Sequence, residues 1–219
     1  MVRKKIQQNV KIFSSNKRLE HLVFNFSFMD WLRSIKNLKM DIKEVKTAIK
    51  IGQFQLKKNH KNKIEIIYNK YLGKEVLTDD SPRIYFFVID GIIKKIGGSQ
   101  SIGGIKATMS FYVNAMQGSP GPPRYVLHLL IEKELINKSK VELFMISSKK
   151  IIAEVYGLFE SKKLEIASFK EMENLCKSDY YKIEKKYPDW NFQENNTDYP
   201  KDEYLKYLEH HRKRQSKKH

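Results

Sequence analysis

The chain has 219 residues, 42 of them Lys or Arg against 25 Asp or Glu, which leaves a formal charge of +17 at pH 7. Hydrophobic residues at 41% and aromatics at 12% exclude a wholly disordered chain and suffice for one large domain. No stretch approaches ~20 uninterrupted apolar residues, so no membrane span is expected. Met1–Lys5 is basic, and no apolar segment of a secretory signal follows it. A single cysteine, Cys176, excludes an internal disulfide and a cysteine-based zinc site. It reads as a half-buried thiol in a reducing, cytoplasmic setting. The charge points to a polyanionic partner, nucleic acid first and an anionic membrane surface second. A Lys-, Asn- and Ile-rich composition also fits an AT-rich genome.

In chain order, residues 1–26 form a basic leader into an apolar patch. Trp31, Ile35, Leu38, Ile42, Val45 and Ile49 then recur at helical spacing, and Gly52 sits where a C-terminal cap belongs. That stripe is a core-facing helix face or a dimer interface, with lysines on the other side. Residues 53–82 read as a lysine-rich connector ending in Thr78-Asp79-Asp80-Ser81-Pro82. Ile84–Ile89 is a strand, Asp90-Gly91 a hairpin turn, and Ile92–Ile96 the returning strand. Ile105, Met109, Tyr112 and Met116 mark a helix closed by Gly118. Further elements are a helix over Arg124–Ile136, a strand over Val141–Ile146, and an extended piece over Ile151–Phe159. Ser168-x-x-Glu171 is a capping box for a helix that Pro188 stops near Tyr187. A short amphipathic helix with Tyr204 and Tyr207 leads into the basic tail. The expected fold is α+β: a small core of hairpin, third strand and flanking helices, with N-terminal and C-terminal helical additions.

Two residues of the hairpin carry the chemical interest. Tyr85 is either a core ring or a site hydroxyl. Lys95 lies in an apolar strand next to Lys94, so one of the two faces inward or into a cleft. Gly97, Gly98, Gly103 and Gly104 supply turns or let backbone N–H groups approach a phosphate. If Asp90-Gly91 is a strict two-residue turn, Tyr85 pairs with Ile96 and Lys95 with Phe86. That puts Tyr85 and Lys95 on opposite faces. A bulge or a longer turn is needed to bring them together.

The string from Tyr85 to Ser99, with Lys95-Ile96-Gly97 at its heart, resembles the core of GIY-YIG nucleases. It looks most like their type II restriction endonuclease branch, in which the second motif is Lys-Ile-Gly. Weaker likenesses follow in order at Tyr125–Leu127, Lys140–Phe144 and Phe169–Asn174. The resemblance implies a bulged hairpin and Tyr85 and Lys95 in one catalytic site. It also implies a glutamate on the helix after the third strand, matched by Glu173, holding Mg²⁺ or another divalent ion. The family's helix after the glycine motif carries an arginine clamp. This chain offers Lys106 there, followed by Tyr112, and Arg83 or Arg124 as substitutes.

The implied organisation is a basic helical region over 1–82, a nuclease core over 83–188 and a basic extension over 189–219. The core carries an insertion around 147–168, which, like the 118–123 loop, is a candidate groove-reading element. The implied activity is metal-dependent, site-specific hydrolysis of double-stranded DNA by a homodimer. Two alternatives stand beside it. A PD-(D/E)xK nuclease needs an Asp on one strand and Glu-x-Lys on the next, and no such pair is evident. A non-catalytic basic nucleic-acid-binding protein explains the charge but leaves the Lys-Ile-Gly hairpin as coincidence.

Overall fold

Seven consecutive residues, Arg83–Ile89, are buried whichever way they face, which marks an interior strand. The computed structural model describes residues 39–165 and 169–216. Its strands are β1 (Ile49–Leu56), β2 (Ile64–Tyr68), β3 (Arg83–Ile89), β4 (Ile92–Ser99), β5 (Val141–Ser147), β6 (Ile152–Tyr156) and β7 (Ser161–Glu165). Its helices are α1 (Lys74–Thr78), α2 (Gly104–Val113), α3 (Pro122–Ile136), α4 (Phe169–Glu184) and α5 (Lys201–Gln215). The first five strands form an antiparallel sheet in the order β2-β1-β5-β3-β4, and β6 and β7 form a separate hairpin. The fold is α+β. No helix among the described residues is long and apolar enough to cross a membrane.

The alternation of β3 divides the core. Tyr85, Phe87 and Ile89 point to the face covered by Ile105, Met109 and Tyr112 of α2 and by Val126 and Ile131 of α3. Ile84, Phe86 and Val88 point to the face covered by Met172, Cys176 and Tyr180 of α4, with Ile42 beside them.

The N-terminal part departs from the helical expectation. Trp31, Ile35 and Leu38 lie outside the described residues. Asp41 caps only a three-residue 3-10 turn, Ile42–Glu44, and Ile49 opens β1 instead of closing a helix. Gly52 is no cap. It lies inside β1 opposite Tyr68, where a Cβ would come 2.8 Å from the Ile67 carbonyl oxygen. Residues 53–82, expected as a connector, contain the second half of β1 and all of β2 and α1. The reason is non-local. β1 finds its partner β5 some ninety residues later, and that pairing overrides a local helical period.

Other boundaries moved less. Ser168, the expected cap of α4, lies outside the described residues. The helix ends at Glu184 because Lys185 turns left-handed (φ 58°), before Pro188 acts. The C-terminal segment is more than an extension. Trp190 joins the core on the Tyr85 face, and Tyr207 of α5 stacks its ring edgewise on Tyr125 of α3 at 5.7 Å.

Glu142 of β5 ties the β1–β5 pair. Its carboxylate meets Lys50 at 2.6 Å and Lys140 at 2.8 Å. Burial alone would raise its pKa, but the hydrogen bonds and charges of the two lysines hold it below the ordinary carboxylate value. A depressed folded-state pKa stabilises the fold above the unfolded value, and that contribution disappears as pH falls through the folded one. Thermal melts on acidification from about pH 5 should therefore show a falling Tm. Glu142→Gln should flatten that fall, and an unchanged slope in the variant would assign the acid sensitivity elsewhere.

Candidate active site

The β3–β4 hairpin begins as a strict two-residue turn, Ile89 opposite Ile92 and Val88 opposite Ile93. The register then slips by one, so that Phe87 pairs with Lys95, Phe86 with Ile96 and Tyr85 with Gly97. Lys94 is the extra residue of a β-bulge. The slip turns Lys95 to the face of Phe87 and Tyr85, which a bulge-free register would have denied it. The bulged residue is held from outside the hairpin. Its carbonyl accepts the Trp190 N–H at 2.8 Å, and its ammonium donates to Asp189 at 2.8 Å. Asn191 completes the clamp, accepting the Ile96 N–H at 2.9 Å and donating to the Ile96 carbonyl at 3.0 Å. β4 is an edge strand, so this segment satisfies backbone groups that would otherwise lie open.

Tyr85 and Tyr112 meet across the sheet–helix interface, their hydroxyls 2.6 Å apart. Both are nearly buried, at 5% and 8% exposure. Burial pushes the Tyr85 phenol well above its usual pKa, and Tyr112 and Glu173 push it further. Burial also raises Tyr112, with the Tyr85 hydrogen bond opposing it. Both are neutral phenols at pH 7. The two glycines after Ile96 make room for this arrangement. A Cβ on Gly97 would lie 2.4 Å from the Tyr85 ring and hydroxyl. One on Gly98 would lie 2.6 Å from the Glu173 carboxylate. Gly97 and Gly98 thus admit a phenol on one face and a carboxylate on the other.

Tyr85, Lys95, Tyr112 and Glu173 line one concavity of about 120 Å³, together with Trp190 and Glu194. Lys177, one turn beyond Glu173 on α4, meets its carboxylate at 2.6 Å and also bonds Glu194. Burial lowers the pKa of Lys95, and Lys177 adds to the effect, while Glu194 and Glu173 oppose it. Glu194 is held below the ordinary carboxylate range: burial would raise it, and the Lys177 hydrogen bond and the Lys95 charge outweigh that. Among the described residues no group of three His, Cys, Asp or Glu side chains forms a metal cluster. The donor set fits a hard cation nonetheless. Glu173 offers carboxylate oxygen into the concavity, and Mg²⁺ takes one or two carboxylates with water and phosphate oxygens filling the remainder.

The structure does not bring Lys106 to this place. It is exposed on α2, lines neither this concavity nor its neighbour, and sets its ammonium 5.4 Å from the Tyr68 ring centre. Helical phase explains the miss. Thr108, two residues on, faces inward and bonds Ser99 at 2.5 Å. Arg83 is buried and spent on the carbonyls of Asp79 and Ser81 at 2.5 and 2.6 Å. Arg124, at the start of α3, lines the neighbouring concavity with Tyr85, Gly98 and Tyr112.

Sequence reasoning missed Glu194, Trp190 and Asn191, which follow Pro188 and carry no local motif. The pairing of Lys177 with Glu173 was legible as an i,i+4 helix pair. The 147–168 insertion contains the β6–β7 hairpin. Its tip residues Leu158 and Phe159 are 94% and 97% exposed.

No family model matches the sequence, and no curated protein does. Among solved structures, a mutant of bacteriophage T4 EndoII is similar, with a TM-score of 0.45 and 17% identity over 69% of this chain and 99% of that one. Restriction endonuclease HPY188I, in complex with product DNA, gives 0.42 and 21% over 71% of this chain and 88% of that one.

Because a Cβ at either glycine meets an occupied position, Gly97→Ala and Gly98→Ala should each destabilise the fold by about 1–3 kcal/mol. Urea denaturation checks this. Wild-type stability in both would mean that neither close approach constrains the site.

Proposed function

We propose that this chain is a divalent-metal-dependent endonuclease of the GIY-YIG type. In this reading it hydrolyses phosphodiester bonds at a specific site in double-stranded DNA, in the manner of a type II restriction endonuclease. The observation that carries the reading is the bulge at Lys94. It sets a lysine of depressed pKa on the same face as a buried tyrosine, with a carboxylate reaching the same concavity past Gly98. The charge of +17 suits a polyanionic substrate.

The residues divide the work as follows. Tyr85, kept neutral by burial and joined to Tyr112, orients the attacking water through its hydroxyl and does not deprotonate it. Lys95 in its neutral form accepts the water proton as the water oxygen bonds to phosphorus. The bond from phosphorus to the 3′-oxygen breaks, and that oxygen takes a proton from solvent. Arg124, which lines the neighbouring concavity, is the cation assigned to the equatorial phosphate oxygens in this reading, the role expected of Lys106. Glu173 would hold the divalent ion, which supplies charge neutralisation for the leaving oxygen. Lys177 must yield part of its ion pair when that happens. One site per chain and two antiparallel strands to cut call for two copies, hence a homodimer.

Purified protein incubated with long duplex DNA should yield discrete fragments with Mg²⁺ and none without. Glu173→Ala should abolish cutting and retain a gel shift. A shift without cutting, on DNA rich enough to hold any short site and with several divalent ions, would leave only a basic binding protein.

The pH dependence follows from Lys95. Its pKa lies below 10.5, so its neutral fraction and the cleavage rate should climb with pH and level off above that pKa. Lys95→Arg, always protonated, should cost about 10²–10⁴ in rate. It should also erase the rising limb in single-turnover assays. A rising limb retained in the variant would place the base elsewhere.

A further inference from the structure

Beyond the catalytic concavity the molecule continues as a groove. The neighbouring concavity, about 320 Å³, shares Tyr85, Gly98 and Tyr112 with the first and ends at Phe111 and Arg124. A third, about 480 Å³, starts at that same pair and runs to the loop at Gly118–Pro120. The two stretches differ from the catalytic concavity in charge. Glu173 and Glu194 line the first, whereas among the described residues no Asp or Glu lines the second or third.

The junction is built for a flat ligand. The Arg124 guanidinium lies over the Phe111 ring, 4.3 Å from its centre, and the ring remains 47% exposed. An aromatic ring and a guanidinium form a stacking platform that any base face can join. Beside it, Gln117 and Asn114, whose amide oxygen accepts from Asn62 at 2.9 Å, line the recess with amide groups suited to a base edge. The far wall is pinned by α5. Arg214 donates to the Gln117 carbonyl at 2.7 Å and to the Ser119 hydroxyl at 3.2 Å, and His210 bonds the Gly118 carbonyl at 3.0 Å. That wall is fixed and basic.

We infer that the recess between Phe111, Arg124 and the Gly118–Pro120 loop binds an unstacked nucleobase of the strand being cut, next to the scissile phosphate. The inference rests on the nuclease reading for the identity of the neighbouring phosphate. Bases inside a duplex are already stacked on both faces. An exposed platform of this kind is therefore filled by a base that has left the stack or belongs to a single strand. Arg124 then serves both parts, its guanidinium plane against the base and its edge toward the phosphate.

The test uses the full chain, in EDTA to prevent cutting. Two fluorescent single strands are compared by anisotropy: a pentadeoxynucleotide, and a pentamer of the same backbone charge in which every nucleoside is abasic. Wild type should bind the base-bearing strand about tenfold more tightly. Phe111→Ala should bring that affinity down to the abasic level without changing the abasic affinity, and Phe111→Trp should keep the preference. Because Phe111 is exposed, a circular-dichroism melt should leave both variants folded. Equal binding of the two strands by wild type overturns the inference. So does a base preference that survives Phe111→Ala, or a variant that weakens both strands equally. The duplex-cleavage assay separates the two readings. Base preference without cleavage sinks the nuclease and leaves the recess. Cleavage without base preference sinks the recess alone.

Discussion

Between Val88–Ile93 and Phe87–Lys95 the β3–β4 ladder slips by one residue, and the site depends on that slip. Side chains alternate across a strand, so a one-residue shift reverses every side chain beyond it. Without the bulge, Lys95 would face α4 and the second core, where a cation has no use. With it, Lys95 joins Tyr85, and the following Gly97 falls opposite Tyr85, where the phenol needs an empty position. One insertion therefore sets both the lysine and the gap beside it.

The bulge in turn depends on chain far away in sequence. A bulged residue leaves a carbonyl without a ladder partner, and an edge strand leaves more. Trp190 and Asn191 supply those backbone partners, while Asp189 holds the Lys94 ammonium. The same segment then delivers Glu194 to Lys177 and to the neighbourhood of Lys95. The support of the strand edge and the electrostatics of the site share one origin, so neither is separable from the C-terminal segment.

Burial sorts the ionisable groups by role. Desolvation disfavours the charged form of each group, but its direction depends on the charge type. It raises Tyr85 and Tyr112 and lowers Lys95. Glu194 and Lys177 stay ionised because each partners the other. Neutral donors, a lysine of lowered pKa and a paired acid thus coexist within one small concavity. Among the described residues, no carboxylate lines the recesses beyond it.

The sequence by itself determined the local pieces: the β3–β4 hairpin with its Asp90-Gly91 turn, the helices around Tyr112 and Tyr125, the strand β5 and the helix bearing Glu173. Each has a short-range signature of period, turn chemistry or glycine. The resemblance of Tyr85–Ser99 to a known motif supplied the idea of a bulge that strict counting opposed. Only the tertiary structure decided the rest. β1 and β2 were hidden because their partners are remote, and Ile42 to Ile49 happens to share a helical period. Lys106 lost its place to a helical phase that turns Thr108 inward. Of the two arginines the sequence offered as substitutes, only Arg124 reaches the neighbouring concavity, and Glu194 reached the candidate site from a segment with no motif to announce it. Hydrogen bonds and burial between distant segments are properties of the folded chain, and no local pattern encodes where such partners meet.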